Sequence, residues 1–280
     1  GVWLTSRIPS SAPLAPNRHL DVTGQVAAII ALATSVAVLI EGAKLGWNSE
    51  WVYACVFVAC IAWCVFFVTE SRHKDPMLPL QYFRNPVFSG ATLLSLASAL
   101  VFYGLFFLLS VYFQSERGWS PLDTGLAFLP LTAMVTLGSF TCGRLTRAYG
   151  ARAVLCAGFG LYTVGFIGLF ALASDAPYWR IAVCYPAVGF GAGIITPAAT
   201  SVLMSVVDRA KAGVAAGTLN ASRQSGSAFG VAIFGALLTS IQPLGDAIDV
   251  AVSVAIGLSL LAMLMAALVL KAPAAQPVES

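Results

Sequence analysis

The sequence predicts an all-α polytopic membrane protein with about eight transmembrane helices. Apolar segments of roughly twenty residues recur along the whole chain of 280 residues, and each is long enough to cross a bilayer. The chain is 59% hydrophobic and 10% charged, whereas charged residues make up about 25% of a soluble domain. Its basic residues lie mostly in alternate loops, which is the charge pattern of a membrane protein.

Eight segments fit this description, and they lie at about 22–40, 51–69, 87–111, 122–142, 153–173, 179–206, 213–240 and 249–270. They are about two to three times longer than a barrel strand and lack its alternation, which argues against a β-barrel. Local sequence marks two helix starts, at Asn85 and Ser120. Each of these side chains can cap a helix, and the proline that follows each one fits the first helical turn.

The distribution of basic residues predicts the orientation of the chain. One set of loops, together with both ends, carries most of them: Arg7, Arg18, Arg72, Lys74, Arg84, Arg144, Arg147, Arg152, Arg209, Lys211 and Lys271. The opposite loops hold only Lys44, Arg117 and Arg180. By the positive-inside rule the first set is cytoplasmic, so we expect a multi-pass inner-membrane protein with both ends inside. These loops explain the net charge of +3, so the charge does not predict a nucleic-acid partner. The partner that the sequence predicts is the lipid bilayer.

Catalytic and metal-binding chemistry have no support in the sequence. The histidines, His19 and His73, lie in predicted cytoplasmic segments, and no Asp, Glu or His lies near the middle of a span. Cys60 and Cys64 share a helix face, but no histidine or carboxylate accompanies them. We therefore expect a protein that is not an enzyme, with no catalytic residue, no metal site and no cofactor.

One basic segment, residues 143–152, joins two predicted spans on the cytoplasmic side. It contains Gly143, Arg144, Arg147, Gly150 and Arg152. One interpretation is a tight turn that carries the charge expected on the inner side. The other is a cytoplasmic gate motif, whose arginines bind helix-end carbonyls and acidic residues in one conformation and release them in another.

Several segments together resemble the Major Facilitator Superfamily, and within it the fourteen-span drug:proton antiporters. Residues 143–152 resemble that family's glycine-arginine cytoplasmic motif in its second-half form. Residues 77–85 are similar to the stretch that leads into the ninth span, and residues 112–130 to the turn between the ninth and tenth spans. Residues 212–224 resemble the start of the thirteenth span. The motif departs from the fuller family pattern at Arg147, where an Asp is common, and at the next residue, where a basic residue is common.

The resemblance implies that the chain covers spans seven to fourteen and lacks the amino-terminal six-helix bundle of the same protein. The chain begins with Gly1, which also predicts that it is cut from a longer one. In such transporters the substrate cavity lies near the midplane between two bundles. The implied divisions are a cytoplasmic linker at 1–20, two central linking helices at 21–70, a cytoplasmic loop at 71–86, a carboxy-terminal six-helix bundle at 87–271 and a cytoplasmic tail at 272–280.

Arg223 is the cation that lies deepest in a predicted span. Burying a cation in a bilayer costs at least about 2.5 kcal/mol, so we expect it to face the bundle interior, a watery cavity or a polar partner. Asn220 shares its helix face, and Gln224 lies at the edge of that face. Arg223 is either a pathway residue that tunes substrate charge or proton coupling, or a structural arginine that binds helix-end carbonyls.

Glycines in the sixth and seventh predicted spans have two interpretations. Small residues let membrane helices approach closely, which favours a packing role. A hinge is the alternative for Gly193 and Pro197, since a proline removes a helix hydrogen bond and permits a bend.

Aromatic and amide side chains are the candidates for a substrate cavity, because their apolar faces suit lipophilic cargo. They are Tyr103, Phe106, Phe107 and Gln114.

These observations predict a transporter that exports drug-like or amphipathic molecules in exchange for protons, by alternating access against the missing bundle. The proton-binding carboxylates would then lie in that bundle, and the proton gradient would be the energy source. The alternatives are a major-facilitator permease for another solute, because fold does not fix cargo, and a non-transporting membrane remnant.

Overall fold

The computed structural model describes residues 21–72, 80–170, 177–208 and 211–270, and this part of the chain is helical with short connections. The predicted linker 1–20, the tail 272–280 and both histidines lie outside these residues. The α-helices are α1 (Val22–Leu45), α2 (Glu50–Arg72), α3 (Pro86–Val111), α4 (Pro121–Ala127), α5 (Leu129–Leu169), α6 (Tyr178–Ala182), α7 (Tyr185–Ser205), α8 (Ala212–Ser240) and α9 (Leu244–Val269). A 3₁₀ helix at Leu80–Arg84 precedes α3, and a π-helical turn at Tyr112–Glu116 extends it.

Eight helices of membrane length are present in the described residues, as the sequence predicts. Length and apolar composition alone identify six membrane-spanning segments. One of them, Pro121–Leu169, contains a non-helical residue at Gly150 and divides there into two crossings. We call the two parts of α5 on either side of Gly150 α5a (residues 129–149) and α5b (residues 151–169). These segments therefore provide seven crossings. Helix α8 is long enough to be another, with 29 residues, but it is too polar to be identified by apolar composition.

Both predicted helix starts are confirmed. The Asn85 side chain accepts a hydrogen bond from the Val87 amide at 2.9 Å, and Pro86 is the first residue of α3. At α4, the Ser120 hydroxyl accepts a bond from the Asp123 amide at 3.1 Å. A third cap lies at the start of α1, where the Asp21 carboxylate accepts a bond from the Gly24 amide at 2.8 Å.

The prediction that residues 143–152 form a loop is wrong for most of the segment. Arg144 and Arg147 lie in the last turns of α5a, and Arg152 lies in the first turn of α5b. Gly150 alone leaves the helical conformation, with φ 80° and ψ 154°. A positive φ of this kind is readily available only to glycine, so a single residue reverses the chain and the helices extend up to it.

The helices pack in pairs around a core of large side chains. α5 packs against α7, α3 packs against α8, and α9 covers both α5 and α3. α1 and α2 form a hairpin that contacts the bundle through α1 and α8. Aromatic rings fill the bundle interior, and the fully buried ones include Phe88, Phe159, Tyr162, Phe166 and Phe234.

Glycines let these helices approach backbone to backbone, which confirms the packing interpretation for most of them. A Cβ atom at Gly226 or Gly230 of α8 would collide with the carbonyl oxygen of Leu96 or Leu100 of α3. A Cβ at Gly193 of α7 would likewise collide with the Val135 carbonyl of α5a. By contrast, Gly213 and Gly217 at the start of α8 face open space.

We predict that Gly230→Ala lowers the stability of the bundle by about 1–3 kcal/mol, because the new methyl group must push α8 away from α3. Gly217→Ala is the matched control, since it makes the same change in the same helix where there is room. The measurement is the temperature at which half of the purified protein ceases to be monodisperse in detergent. Equal temperatures for the two variants would contradict the prediction.

Candidate functional site

The aromatic candidates lie on α3, and the structure separates their roles. Tyr103, Phe107 and Gln114 are spaced so that they share one face of the helix and its π-helical extension. Tyr103 is 43% exposed. The Gln114 side chain is also exposed, and its amide nitrogen donates to the Ser110 hydroxyl at 2.9 Å.

Phe106 is instead held within the bundle. Its ring stacks on Phe128, with 4.0 Å between the centroids. The structure therefore favours a packing role for Phe106. Phe107 is also partly buried against the core, and Tyr103 and Gln114 remain on an accessible face.

The polar residues of α8 form a second accessible face. Asn220 and Gln224 are exposed one turn apart, and the open positions Gly213 and Gly217 lie on the turns before them. Arg223 is half-buried. Within the part of the chain that the structure describes, no side chain or carbonyl accepts a hydrogen bond from its guanidinium.

The basic residues of the gate motif project from the predicted cytoplasmic end of α5. Arg144, Arg147 and Arg152 are all exposed. The Arg147 side chain donates from Nε to the Gly143 carbonyl at 3.2 Å, one turn earlier in its own helix. Among residues 21–72, 80–170, 177–208 and 211–270, no carboxylate lies within ion-pair distance of any of the three.

The candidate hinge in α7 has a partner that the sequence did not reveal. A proline lacks an N–H group, so Pro197 leaves the Gly193 carbonyl without its usual helical donor. The Ser139 hydroxyl of α5a donates to this carbonyl at 3.2 Å. One residue further on, the Cys142 thiol donates to the Ile194 carbonyl at 3.2 Å. α7 remains helical through Pro197, and its free carbonyl is bound by the neighbouring helix.

A buried polar pair joins α3 to α5b through the middle of the bundle. The Tyr162 and Ser98 hydroxyls are 3.1 Å apart, and both side chains are buried. The bundle interior therefore contains a satisfied hydrogen bond far from both ends of the helices. Nothing in the sequence pattern marks it, because a tyrosine and a serine in separate apolar segments carry no pairing signal.

These features define a multi-pass α-helical membrane protein whose bundle presents polar helix faces on α3 and α8. The sequence profile of the Major Facilitator Superfamily matches residues 8–231 and, in a second and overlapping match, residues 132–280. The chain belongs to the Major Facilitator Superfamily, which confirms the resemblance seen in the sequence.

Curated relatives carry names from drug resistance. The chain is 34% identical over 222 residues to the methylenomycin A resistance protein of Streptomyces coelicolor, an alignment that covers 79% of this chain and 47% of the relative. It is 30% identical over 236 residues to the methylenomycin A resistance protein of Bacillus subtilis, covering 84% and 50%. It is 30% identical over 223 residues to the multidrug resistance protein Stp of Mycobacterium tuberculosis, covering 80% and 41%. The chain thus spans about half the length of these relatives.

We predict that Ser139→Ala loosens α7 around Pro197, because the Gly193 carbonyl then loses its donor. Hydrogen bonds between membrane helices contribute about 0.6 kcal/mol on average, so amide hydrogen exchange over residues 193–201 should become about threefold faster. Thr136→Ala is the matched control, since the Thr136 hydroxyl donates only to the Thr132 carbonyl of its own helix. Exchange that is equally fast in the wild type and Ser139→Ala would refute this role.

Proposed function

We propose that this chain is the carboxy-terminal half of a proton-coupled antiporter that exports drug-like or amphipathic molecules by alternating access. Family membership and the names of the relatives support the class of protein. The observation that carries the proposal is the pair of accessible helix faces on α3 and α8. The alternatives are a permease for another solute and a membrane protein that does not transport.

The chemistry of these faces argues against contact with lipid. Asn220 and Gln224 on α8 expose amide groups. An amide in hydrocarbon has no hydrogen-bonding partner, so such groups belong against protein or a water-filled cavity. Tyr103 adds exposed aromatic surface on α3, which suits molecules with an apolar body and a polar end.

An amino-terminal six-helix bundle is the partner that we propose for these faces. The curated relatives are about twice as long as the matched segment. In a two-bundle transporter the cavity lies near the midplane between the bundles, so α3 and α8 would form one wall of it. The open surface at Gly213 and Gly217 would allow another helix to approach closely.

The proton gradient is the proposed energy source, with no cofactor and no catalytic chemistry. A proton-coupled transporter needs a titratable group in its pathway. The described helices carry no carboxylate or histidine near their middles. We therefore assign the proton-binding carboxylates to the amino-terminal half.

We propose the cell inner membrane as the location, with both ends of the chain in the cytoplasm. At one end of the bundle the described basic residues are Arg72, Arg84, Arg144, Arg147, Arg152 and Lys211, and at the other they are Lys44, Arg117 and Arg180. The positive-inside rule makes the first end cytoplasmic.

Transport of ethidium, a fluorescent lipophilic cation, into energised inside-out vesicles tests this function. The chain alone is compared with the chain extended by its upstream coding sequence. We expect transport only from the extended chain, and we expect an uncoupler of the proton gradient to abolish it. Absence of transport from both, with both inserted and folded, would contradict the proposal, and transport that survives the uncoupler would favour the permease.

The gate motif supplies a second test in the same vesicles. If Arg144 and Arg147 hold the inner side closed in one conformation, replacing both with alanine should slow transport by about tenfold, which corresponds to about 1.4 kcal/mol. Arg84→Ala is the control, because Arg84 carries the same charge at the same end but lies outside the motif. An unchanged rate with normal amounts of protein in the membrane would remove the latch role.

Arg223 offers a test of the pathway itself. A pathway cation should repel cationic cargo, so Arg223→Gln should change the ratio of cation to neutral-substrate transport while the amount of folded protein stays the same. Lys211→Gln, which removes an exposed cation at the start of the same helix, is the control. Loss of folded protein in Arg223→Gln would instead indicate a structural arginine, and wild-type transport of both substrates would exclude the pathway role.

A further inference from the structure

A shallow, open cavity lies at the predicted outer end of the bundle, beside the starts of α4 and α6. It has a volume of about 460 Å³, and it is lined by Trp119, Asp123, Leu126, Ala127 and Tyr178. Small-molecule sites commonly have volumes of about 300–1,000 Å³ and combine aromatic walls with a few polar groups. This cavity has two aromatic walls and one carboxylate.

The Trp119 wall is held in place before any ligand binds. Its ring stacks on Phe113, with 4.8 Å between the centroids and 5° between the planes. The Trp119 amide donates to the Phe113 carbonyl at 3.0 Å, across a turn in which Gly118 has a φ of 64°. Only a residue that tolerates positive φ permits this turn, so the local sequence fixes the indole at the cavity edge.

The Tyr178 wall is fixed independently. Its hydroxyl donates to the Ala127 carbonyl at 2.8 Å, which ties α6 to the end of α4. The Trp119 and Tyr178 rings lie next to each other, with their centroids 5.8 Å apart. Together they form a continuous aromatic surface whose geometry needs little ordering when a ligand binds.

Asp123 supplies the charge of the cavity. The Ser120 hydroxyl donates to its Oδ2 at 2.6 Å, which orients the carboxylate and leaves Oδ1 available to a ligand. In the described part of the chain, no basic side chain pairs with Asp123. Arg117, the nearest cation along the chain, lies beside the Trp119 wall: its Nε donates to the Tyr112 hydroxyl at 3.3 Å, and its guanidinium lies 5.5 Å from the centre of the Tyr112 ring and 5.8 Å from the centre of the Trp119 ring.

The charges at this end of the bundle favour a cationic ligand. The described carboxylates there outnumber the basic side chains Lys44, Arg117 and Arg180, and they are Glu41, Glu50, Glu116, Asp123, Asp246 and Asp249. A surface with an excess of one sign raises the local concentration of ions of the other sign.

We propose that this cavity is an outer binding site for amphipathic organic cations, whose aromatic groups lie against Trp119 and Tyr178 and whose charge faces Asp123. An aromatic face attracts a cation directly. The Asp123 carboxylate also attracts the cation, and it repels an anion of the same shape. The position of the site at the proposed outer end assigns it to cargo that has crossed the membrane. The assignment of a cationic ligand to this site rests on the proposed function. The geometry of the cavity is independent of that function.

Equilibrium binding of two isosteric probes to the full chain in nanodiscs tests the site. Radiolabelled tetraphenylphosphonium is the cation and tetraphenylborate is the anion, with binding to empty nanodiscs subtracted. We expect saturable binding of the cation alone, weakened about fivefold by Asp123→Asn, a change typical of an exposed charge pair. Trp119→Leu should weaken it by a similar factor, about that of an exposed cation–aromatic contact.

Two controls separate the cavity from its surroundings. Asp246→Asn removes a carboxylate from the same end of the bundle, and Trp179→Leu removes an exposed indole next to Tyr178, yet neither residue lines the cavity. Both should bind the cation as the wild type does. Asp123→Asn preserves the cap, because its amide oxygen can still accept from Ser120, so a loss of binding in this variant is not a loss of folding.

Three outcomes would overturn the inference: equal binding to the wild type and Asp123→Asn, equal losses in the control variants, or preferential binding of the anion. Its failure is distinct from a failure of the proposed function. If the extended chain transports tetraphenylphosphonium but the binding result is negative, the outer site is wrong and the function stands. If the cation binds as expected but neither chain transports it, the site stands and the export function fails.

Discussion

Every backbone polar group inside a bilayer needs a partner within the protein, and this constraint determines the structure of the bundle. A helix pairs its own N–H and carbonyl groups along most of its length. Where a proline prevents this pairing, the free carbonyl needs a partner from another helix. Pro197 frees the Gly193 carbonyl, and the Ser139 hydroxyl on the adjacent helix takes the place of the missing amide. Because the replacement donor lies on α5a, this bond also fixes how α7 sits against its neighbour. Pro197, which would weaken an isolated helix, thus leads to a hydrogen bond between α5a and α7.

Close contact between helices is a second requirement of the bilayer. Lipid provides no hydrophobic force that favours one helix pair over another, so the helices must fit closely. The bundle relies on surface shape and on a few polar contacts. Gly226 and Gly230 bring α8 against the backbone of α3, and Gly193 brings α7 against α5a. The Tyr162–Ser98 pair then connects α5b to α3 across the interior. These contacts link elements that are distant in the chain, so they hold together two groups of helices that the loops alone would leave separate.

The sequence predicted the helices well because their causes are local. Apolar length placed the crossings, and the caps at Asn85 and Ser120 placed two of the starts. It failed for residues 143–152, where three arginines and two glycines suggested a loop, although the turn needs only the positive φ of Gly150. It also could not separate Phe106, which stacks on Phe128, from the accessible Tyr103. That difference depends on what another segment places opposite each ring. The cavity at Trp119 and the Ser139–Gly193 bond were missed for the same reason, since both join segments whose proximity appears only in the folded bundle.

The two ends and the middle of the bundle differ in chemistry, and the differences fit the outward transport that we propose. The cytoplasmic end that we propose carries exposed arginines on α5, the accessible faces of α3 and α8 carry amides and aromatic rings, and the opposite end carries carboxylates around an aromatic cavity. An amphipathic cation gains little from the arginine-rich end, more from the amide and aromatic faces, and most from the carboxylate end. Binding that strengthens in this order would draw such a molecule outward, but it would also slow its release. In the proposed antiporter, outward movement against a gradient therefore still requires the proton-driven change of conformation, and the aromatic cavity must bind weakly enough for the cargo to leave.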